Sequence, residues 1–220
     1  RAVRESLAPH TMYVPTMGTG LTDLYVSVGY EQFCLLLHSR PTLIGELLRH
    51  RAMDNLRWLT KAAEERLCPM FLIAEDIGGK KGLLFSPDWL RRHFIPALKM
   101  LTRPLRRAGI KAIFHSDGNV MDILDDLVEA GIDGLHPIEP MAGMDIARVQ
   151  KRYGEQLVLV GNVDCGRLLP MGRSRDIRRA VRKCKRAAGR SGGHFVGSSG
   201  ELHAGIPMRN VFTFCEACRE

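Results

Sequence analysis

The sequence predicts an α/β protein built on a parallel sheet, and three observations carry that prediction. Apolar runs of strand length alternate with helical patterns along the chain. Most of these runs are apolar on consecutive positions, the pattern of strands covered on both faces. The later units recur about every 20 to 30 residues, the tempo of a (β/α)8 barrel. Six strand–helix units are legible where such a barrel has eight. The fold class read from the chain is therefore a (β/α)8 TIM barrel with about six of its eight units present. The first two units are expected to be missing at the N-terminus, and residues 1–220 are expected to form a single barrel domain.

The strand runs, in order, are "TMYVPTMG" (11–18), "PMFLIAED" (69–76), "KAIFHSD" (111–117), "DGLHPI" (133–138), "LVLVGNV" (157–163) and "HFVGSS" (194–199). A long helix from about Thr42 to Leu67 follows the first. Ser86 and Pro87 supply an N-cap and a first-turn proline for a helix that runs to about Ala108, before Gly109. "MDILDDLVEAG" reads as a helix stopped at Gly131. "MDIARVQKRYG" stops at Gly154, with Lys151 and Arg152 in its last turn. Ser174 is placed to cap the next helix, which ends at Gly189. No GxGxxG follows any strand, so a dinucleotide fold lacks its fingerprint.

Net charge is +8, and the excess is local. The stretch "GRSRDIRRAVRKCKRAAGR" (172–190) is dense in arginine and lysine, while Ala180, Val181, Cys184 and Ala187 recur at helical spacing. No aromatic residue interleaves with the basic ones, as a single-strand binder requires. The segment therefore reads as an amphipathic helix whose outer face suits an acidic protein better than nucleic acid. No apolar run approaches the length of a membrane span. The opening "RAVRESLAPH" has neither a signal-peptide core nor an initiator Met, so the chain is expected to be a fragment or a processed product. Five of the six cysteines, Cys34, Cys68, Cys184, Cys215 and Cys218, fall in helical runs, and Cys165 follows a strand. Cys215 and Cys218 make a lone CxxC with no second pair to complete a four-cysteine zinc site. Reduced thiols in a cytoplasmic protein are the expected state.

The strands begin apolar and end polar. The second ends in Glu75 and Asp76, and the third in His115 and Asp117. The fourth carries His136 and is followed by Glu139. The fifth ends in Asn162 and Asp164, and the sixth runs into Ser198, Ser199, Glu201 and His203. In a parallel barrel these ends share one rim, where barrel enzymes place their chemistry. Side chains at i and i+2 of a strand share a face, so His115 and Asp117 point the same way. That spacing suits two ligands of one metal ion, or a histidine oriented by a carboxylate. Gly118 lets the backbone turn and Asn119 is placed to cap the next helix. Asp122 and Asp145 read as loop anchors or helix caps. Asp76, Glu75, Glu139, Asn162 and Asp164 are the candidate catalytic residues.

The stretches "EDIGGKKGLLFSPDWLRRHFIPALKML", "AIFHSDGN", "EAGIDGLHPIEPMAGMDIARVQKRYG", "LVLVGNVDCGRLLPMG" and "SSGELHAGIPMRNV" resemble, in order and spacing, the uroporphyrinogen decarboxylase superfamily. The resemblance runs from about residue 12 to 218 and implies a (β/α)8 barrel. It also implies one of two activities. One is cofactor-free decarboxylation of uroporphyrinogen in porphyrin biosynthesis. The other is zinc-dependent methyl transfer between a corrinoid protein and a thiol such as coenzyme M. The decarboxylase pattern has an arginine-rich segment and an aspartate on its first two strands, and a "GHG" in its last strand loop. This chain has neither early segment and reads "SSGELHAG" in that loop, so the decarboxylase residues do not carry over, and Tyr13 finds no match.

The methyltransferase branch has a His-x-Cys on the strand that here reads His115-Ser116-Asp117, and a further cysteine in the last loop. His115 matches, and Asp117 stands where the cysteine would be. The last loop offers Ser199, Glu201 or His203. The resemblance therefore implies Zn2+ held by His115, Asp117 and Glu201 or His203, with Glu75, Asp76 and Glu139 as further ligands or a base. Harder oxygen ligands leave more positive charge on zinc than thiolates do.

Metal-assisted methyl transfer, with a corrinoid protein as partner and a small-molecule methyl donor or acceptor as substrate, is the leading expectation. A porphyrinogen decarboxylase without cofactor is the alternative. A truncated barrel that only binds a tetrapyrrole or a partner is the third reading. No nucleic acid and no membrane are expected as partners. An open six-strand barrel exposes sheet edges, so if these 220 residues are the whole protein a homodimer or poor solubility is expected.

Overall fold

The computed structural model describes residues 6, 11–189 and 193–220. In chain order they form β1 (Thr16–Met17), α1 (Leu21–Val28), α2 (Tyr30–Ser39), α3 (Pro41–Glu64), β2 (Met70–Ala74), β3 (Gly78–Gly79) and β4 (Gly82–Leu83). Then come α4 (Pro87–Trp89), a π turn (Leu90–Phe94), α5 (Ile95–Ala108), β5 (Lys111–His115), a 3-10 turn (Met121–Ile123), α6 (Leu124–Glu129) and β6 (Gly134–His136). The chain continues with a 3-10 turn (Pro140–Ala142), α7 (Ile146–Tyr153), β7 (Val158–Val163), α8 (Leu168–Met171), α9 (Ser174–Ala187), β8 (His194–Ser198) and α10 (Met208–Arg219). The six-stranded sheet has the order β1-β2-β5-β6-β7-β8, and β3 and β4 make a separate hairpin. Strands in sequence order with helices between them are the connectivity of a partial (β/α)8 barrel. No described helix is long and apolar enough to cross a membrane.

The chain divides into two compact units. The first comprises residues up to Ile77, with Phe85–His115 and Ile123–Asp133. Its strands β1, β2 and β5 are parallel, with Met17 opposite Ile73 and Ala74 opposite His115. Ile73 and Phe114 are fully buried, as are Leu98 and Leu101 of α5, and Phe94 meets Phe114 edge-on. A second cluster joins Tyr25 and Phe33 to Phe85 and Trp89. The other unit holds Gly78–Leu84, Ser116–Asp122 and Gly134–Glu220. Its strands β6, β7 and β8 are also parallel, and Ile177, Val181 and Cys184 form the buried stripe of α9.

The differences from the sequence reading have local causes. The first apolar run yields only two strand residues. Pro15 has no N–H to give a ladder, although its carbonyl accepts from Leu72 N at 2.9 Å. Helices α1 and α2 went unread because each is short and bounded by Gly20 or Gly29. The long helix is Pro41–Glu64, so Cys68 lies beyond it in a non-helical segment. Ser174 is the first residue of α9, with Arg173 at the N-cap, and its hydroxyl accepts from Thr213 Oγ1 instead of capping. The helix after Pro87 reaches Ala108 as read, but with a π turn inside it. Asp145 caps α7 by accepting from Ala147 N, as read. The N-terminal decapeptide (Ser6 aside) and Arg190 lie outside the described residues.

One polar knot ties α9 to β7 and β8. Cys184 Sγ donates to Gly161 O at 3.2 Å, and His194 Nε2 lies 2.8 Å from the same oxygen. Burial pushes the Cys184 thiol up and the His194 imidazole down. At pH above the ordinary histidine value, about 6.5, His194 is neutral in folded and unfolded chains alike. Below it the unfolded chain takes up the proton first, so stability is lost as pH falls towards the depressed folded value. His93 is shifted in the same direction by burial and then by Arg92. His194→Gln is expected to reduce, and not abolish, the drop in Tm between about pH 7 and pH 5. Melting curves across that range measure it.

Candidate functional site

The two carboxylates at the end of β2 have different environments. Glu75 is buried, with 1% of its surface exposed. Its Oε1 accepts from Thr19 Oγ1 at 2.6 Å, Gly20 N at 2.7 Å and Leu21 N at 3.2 Å, and its Oε2 accepts from Thr22 N at 2.7 Å. The loop Gly18-Thr19-Gly20 thus wraps the carboxylate at the start of α1. It has no room for a side chain at Gly18, where a Cβ would lie 2.5 Å from Glu75 Oε1. Asn55 Nδ2 fixes the same loop by donating to Gly18 O. Asp76 comes next: its N–H donates to Thr22 Oγ1 at 3.1 Å, and its carbonyl accepts from Tyr25 OH at 3.3 Å. Burial raises the Tyr25 phenol above its ordinary value.

The register of β2 on β5 places Ala74 opposite His115, and Glu75 N donates to His115 O at 2.9 Å. Asp76 therefore emerges beside the imidazole, with His115 Nε2 3.6 Å from Asp76 Oδ1. His115 is largely buried at 21% side-chain exposure, and Asp76 is more open at 39%. Asp117 is exposed. Asp76, His115 and Asp117 each offer one ligand atom, all within 4.8 Å of one another. The structure thus brings the predicted pair His115 and Asp117 together with a residue read as catalytic, Asp76.

The turn after β5 is clamped. Ser116 N donates to His136 O, and Ser116 Oγ accepts from Gly78 N and donates to Asp117 O. Gly118 N donates to Glu139 Oε2 at 2.9 Å, and Asn119 N to Gly79 O at 3.0 Å. Asn119 Oδ1 accepts from Met121 N, the capping role read from sequence. Gly118 and Gly78 meet backbone to backbone: a Cβ on Gly118, whose φ is +81°, would sit 2.3 Å from the Gly78 carbonyl carbon. The β3–β4 hairpin carries Lys80 and Lys81 between its strands.

Glu139, Asn162, Asp164 and His203 make hydrogen bonds within loops. Glu139 anchors the Gly118 turn. Asn162 Nδ2 donates to Ile138 O at 3.0 Å. Asp164 accepts from the amides of Gly166, Arg167 and Leu168. His203 Nδ1 accepts from Gly205 N, which leaves Nε2 to donate to Cys165 O at 3.3 Å. Glu201 is exposed. Among the described residues, neither Glu201 nor His203 joins the group formed by Asp76, His115 and Asp117. The parts that sequence reasoning missed are the Gly18–Gly20 wrap and the hairpin. The glycine pairs at 18/20 and 78/79 are their only signals, because each marks a close backbone approach.

Residues 3–220 match the family model for uroporphyrinogen decarboxylase (URO-D). Among solved structures, a methyltransferase from Methanosarcina mazei superposes with a TM-score of 0.76 at 20% identity. The match covers 99% of this chain and 62% of that one, so the chain spans under two thirds of its length. The 3-keto-L-gulonate-6-phosphate decarboxylase from Vibrio cholerae O1 biovar El Tor str. N16961 is far more remote, with a TM-score of 0.40 at 12% identity. That match covers 95% of this chain and 98% of that one. None of the curated proteins matches the chain.

Two substitutions test this arrangement by urea denaturation. Glu75→Ala strands the amides of Gly20, Leu21 and Thr22 and is expected to destabilise by about 3 kcal/mol or more, with Glu75→Gln losing clearly less. Gly118→Ala meets both positive φ and the Gly78 backbone, for a loss of about 3 kcal/mol. Gly109→Ala, with φ +72° and open space around it, isolates the conformational part. Its loss is expected near 1 kcal/mol.

Proposed function

This chain belongs to the uroporphyrinogen decarboxylase family, and from that premise we propose that it performs metal-assisted methyl transfer between a corrinoid protein and a small thiol acceptor. The observation that carries the reading is the convergence of Asp76, His115 and Asp117 at the ends of neighbouring strands. Two carboxylate oxygens and one imidazole nitrogen make a donor set that suits zinc. The 3.6 Å between His115 Nε2 and Asp76 Oδ1 fits as well. Two ligand atoms of a tetrahedral zinc, with bonds of about 2.1 Å, lie roughly 3.4 Å apart. The zinc, when bound, would acidify an acceptor thiol and so supply the attacking thiolate.

The chain's own residues do the positioning. β2 and β5 present Asp76 and His115 from adjacent strands, which fixes their spacing through backbone hydrogen bonds. Glu139 and the Gly78–Gly118 contact hold the turn that carries Asp117. Glu75 is assigned to anchoring and not to chemistry, because four donors already occupy its carboxylate. Asn162, Asp164, Glu201 and His203 are assigned to loop structure or solvent. Decarboxylation of a carboxylate-rich porphyrinogen is the weaker reading, since Asp76 and Asp117 would set negative charge against such a substrate. All six cysteines are free thiols, which fits a reducing, cytoplasmic setting.

The test is zinc content after equilibration with buffered micromolar zinc, measured for the wild type and for Asp76→Ala, His115→Ala and Asp117→Ala. The expected result is near-stoichiometric zinc in the wild type and affinity reduced by at least about tenfold in each variant. A wild type that retains no zinc, or variants that bind it equally well, would overturn the assignment.

A further inference from the structure

Helix α9 presents more positive charge than its own fold uses. Ile177, Val181 and Cys184 face inward. Arg178 is held by Glu216 and Glu220 of α10, and Lys185 Nζ donates to Cys218 O at 2.9 Å. These contacts account for one flank. Arg175, Arg179, Arg182 and Arg186 recur at intervals of four, three and four residues, so they form a single outward stripe about 16 Å long. All four are exposed. Arg179 pairs with Asp176 yet keeps 75% of its side chain in solvent. No ion pair joins Arg175, Arg182 or Arg186 to another described residue.

The opposite flank of α9 borders a cavity of about 480 Å³ shared with the start of α7. Ala180, Lys183 and Ala187 line it from α9, Ile146 from α7, and Val163 and Leu168 from below. The two carboxylates at its edge are engaged with backbone: Asp145 accepts from Ala147 N, and Asp164 from three amides. By helical position Lys183 sits between the cavity and the arginine stripe. An apolar socket beside a cationic rim is the anatomy of a protein-binding surface, with one buried anchor and charges that steer the encounter.

We propose that this face docks an acidic protein segment, whose carboxylates meet the arginine stripe and whose apolar side chain enters the α7–α9 cavity. Charge complementarity selects the acidic partner. The apolar cavity and the lack of any aromatic residue on α9 argue for protein over nucleic acid, since base stacking needs aromatic faces. The inference goes beyond the methyl-transfer reading and stands whether or not the chain holds zinc.

The test is fluorescence polarisation on the full chain with three labelled probes of equal charge. The first is a glutamate-rich peptide about 12 residues long, enough to span the stripe, with a central Leu-Trp pair. The second carries Ser-Ser at the centre, and the third is a single-stranded oligonucleotide. The Leu-Trp peptide is expected to bind tightest. Joint reversal R175E/R179E/R182E/R186E should weaken both peptides by at least about tenfold. Ala180→Trp, with Ala187→Phe as a second plug, should remove the advantage of Leu-Trp over Ser-Ser. Circular dichroism confirms that each variant is folded. Equal affinity for the two peptides, indifference to charge reversal, or tighter binding of the oligonucleotide would each overturn the proposal.

Discussion

The buried carboxylate of Glu75 is the constraint on which the first unit depends. Removing such a charge from water costs several kcal/mol unless every lone pair finds a donor. Thr19, Gly20, Leu21 and Thr22 supply those donors from one continuous stretch, the start of α1, where unpaired amides and the helix dipole favour negative charge. The same contacts close the chain from β1 over the end of β2. They also set Asp76, because Thr22 binds Glu75 through its N–H and Asp76 through its hydroxyl. One residue of sequence separates a carboxylate that holds the fold from one that stands beside His115.

This arrangement explains which parts of the site were legible in the sequence. His115 and Asp117 were readable because their relation is local: two residues apart at a strand end, before a glycine turn. Asp76 was visible as a polar strand end, but its place beside His115 depends on the register of β2 against β5, a contact across 39 residues of chain. Period and composition do not encode that pairing. Glu201 and His203 entered the ligand set through the family resemblance, which points to the last strand loop. In the structure that loop binds itself, with His203 held by Gly205 and Cys165. The alternation of strands and helices was legible throughout because burial on both faces leaves a continuous apolar run. The short elements, α1, α2 and the β3–β4 hairpin, were not, because their stability comes from contacts outside their own sequence.

The distribution of charge follows the same separation of tasks. Acidic residues gather at the strand ends, while much of the basic excess is on α9, where Arg178, Arg179 and Lys185 have partners within the fold. Net charge by itself would have suggested a polyanion ligand. The placement separates the two signs: the outward arginines lie on one helix face, and the carboxylates at the strand ends.

Hydrogen bonds show what three of the strand-end carboxylates are engaged in. A carboxylate oxygen that already accepts backbone amides is engaged in place, and drawing it into chemistry would strand those amides. Asp164 accepts from three amides, and Glu139 holds Gly118. Glu75 accepts from three amides and a hydroxyl. Each is an acid at a strand end, and each is engaged in shaping the rim. Asp76, His115 and Asp117 each offer one ligand atom, all within 4.8 Å of one another, and close approach of two carboxylates is repulsive unless positive charge lies among them. The close approach of Gly78 and Gly118 holds the turn that carries Asp117, so the backbone there leaves no room for a side chain.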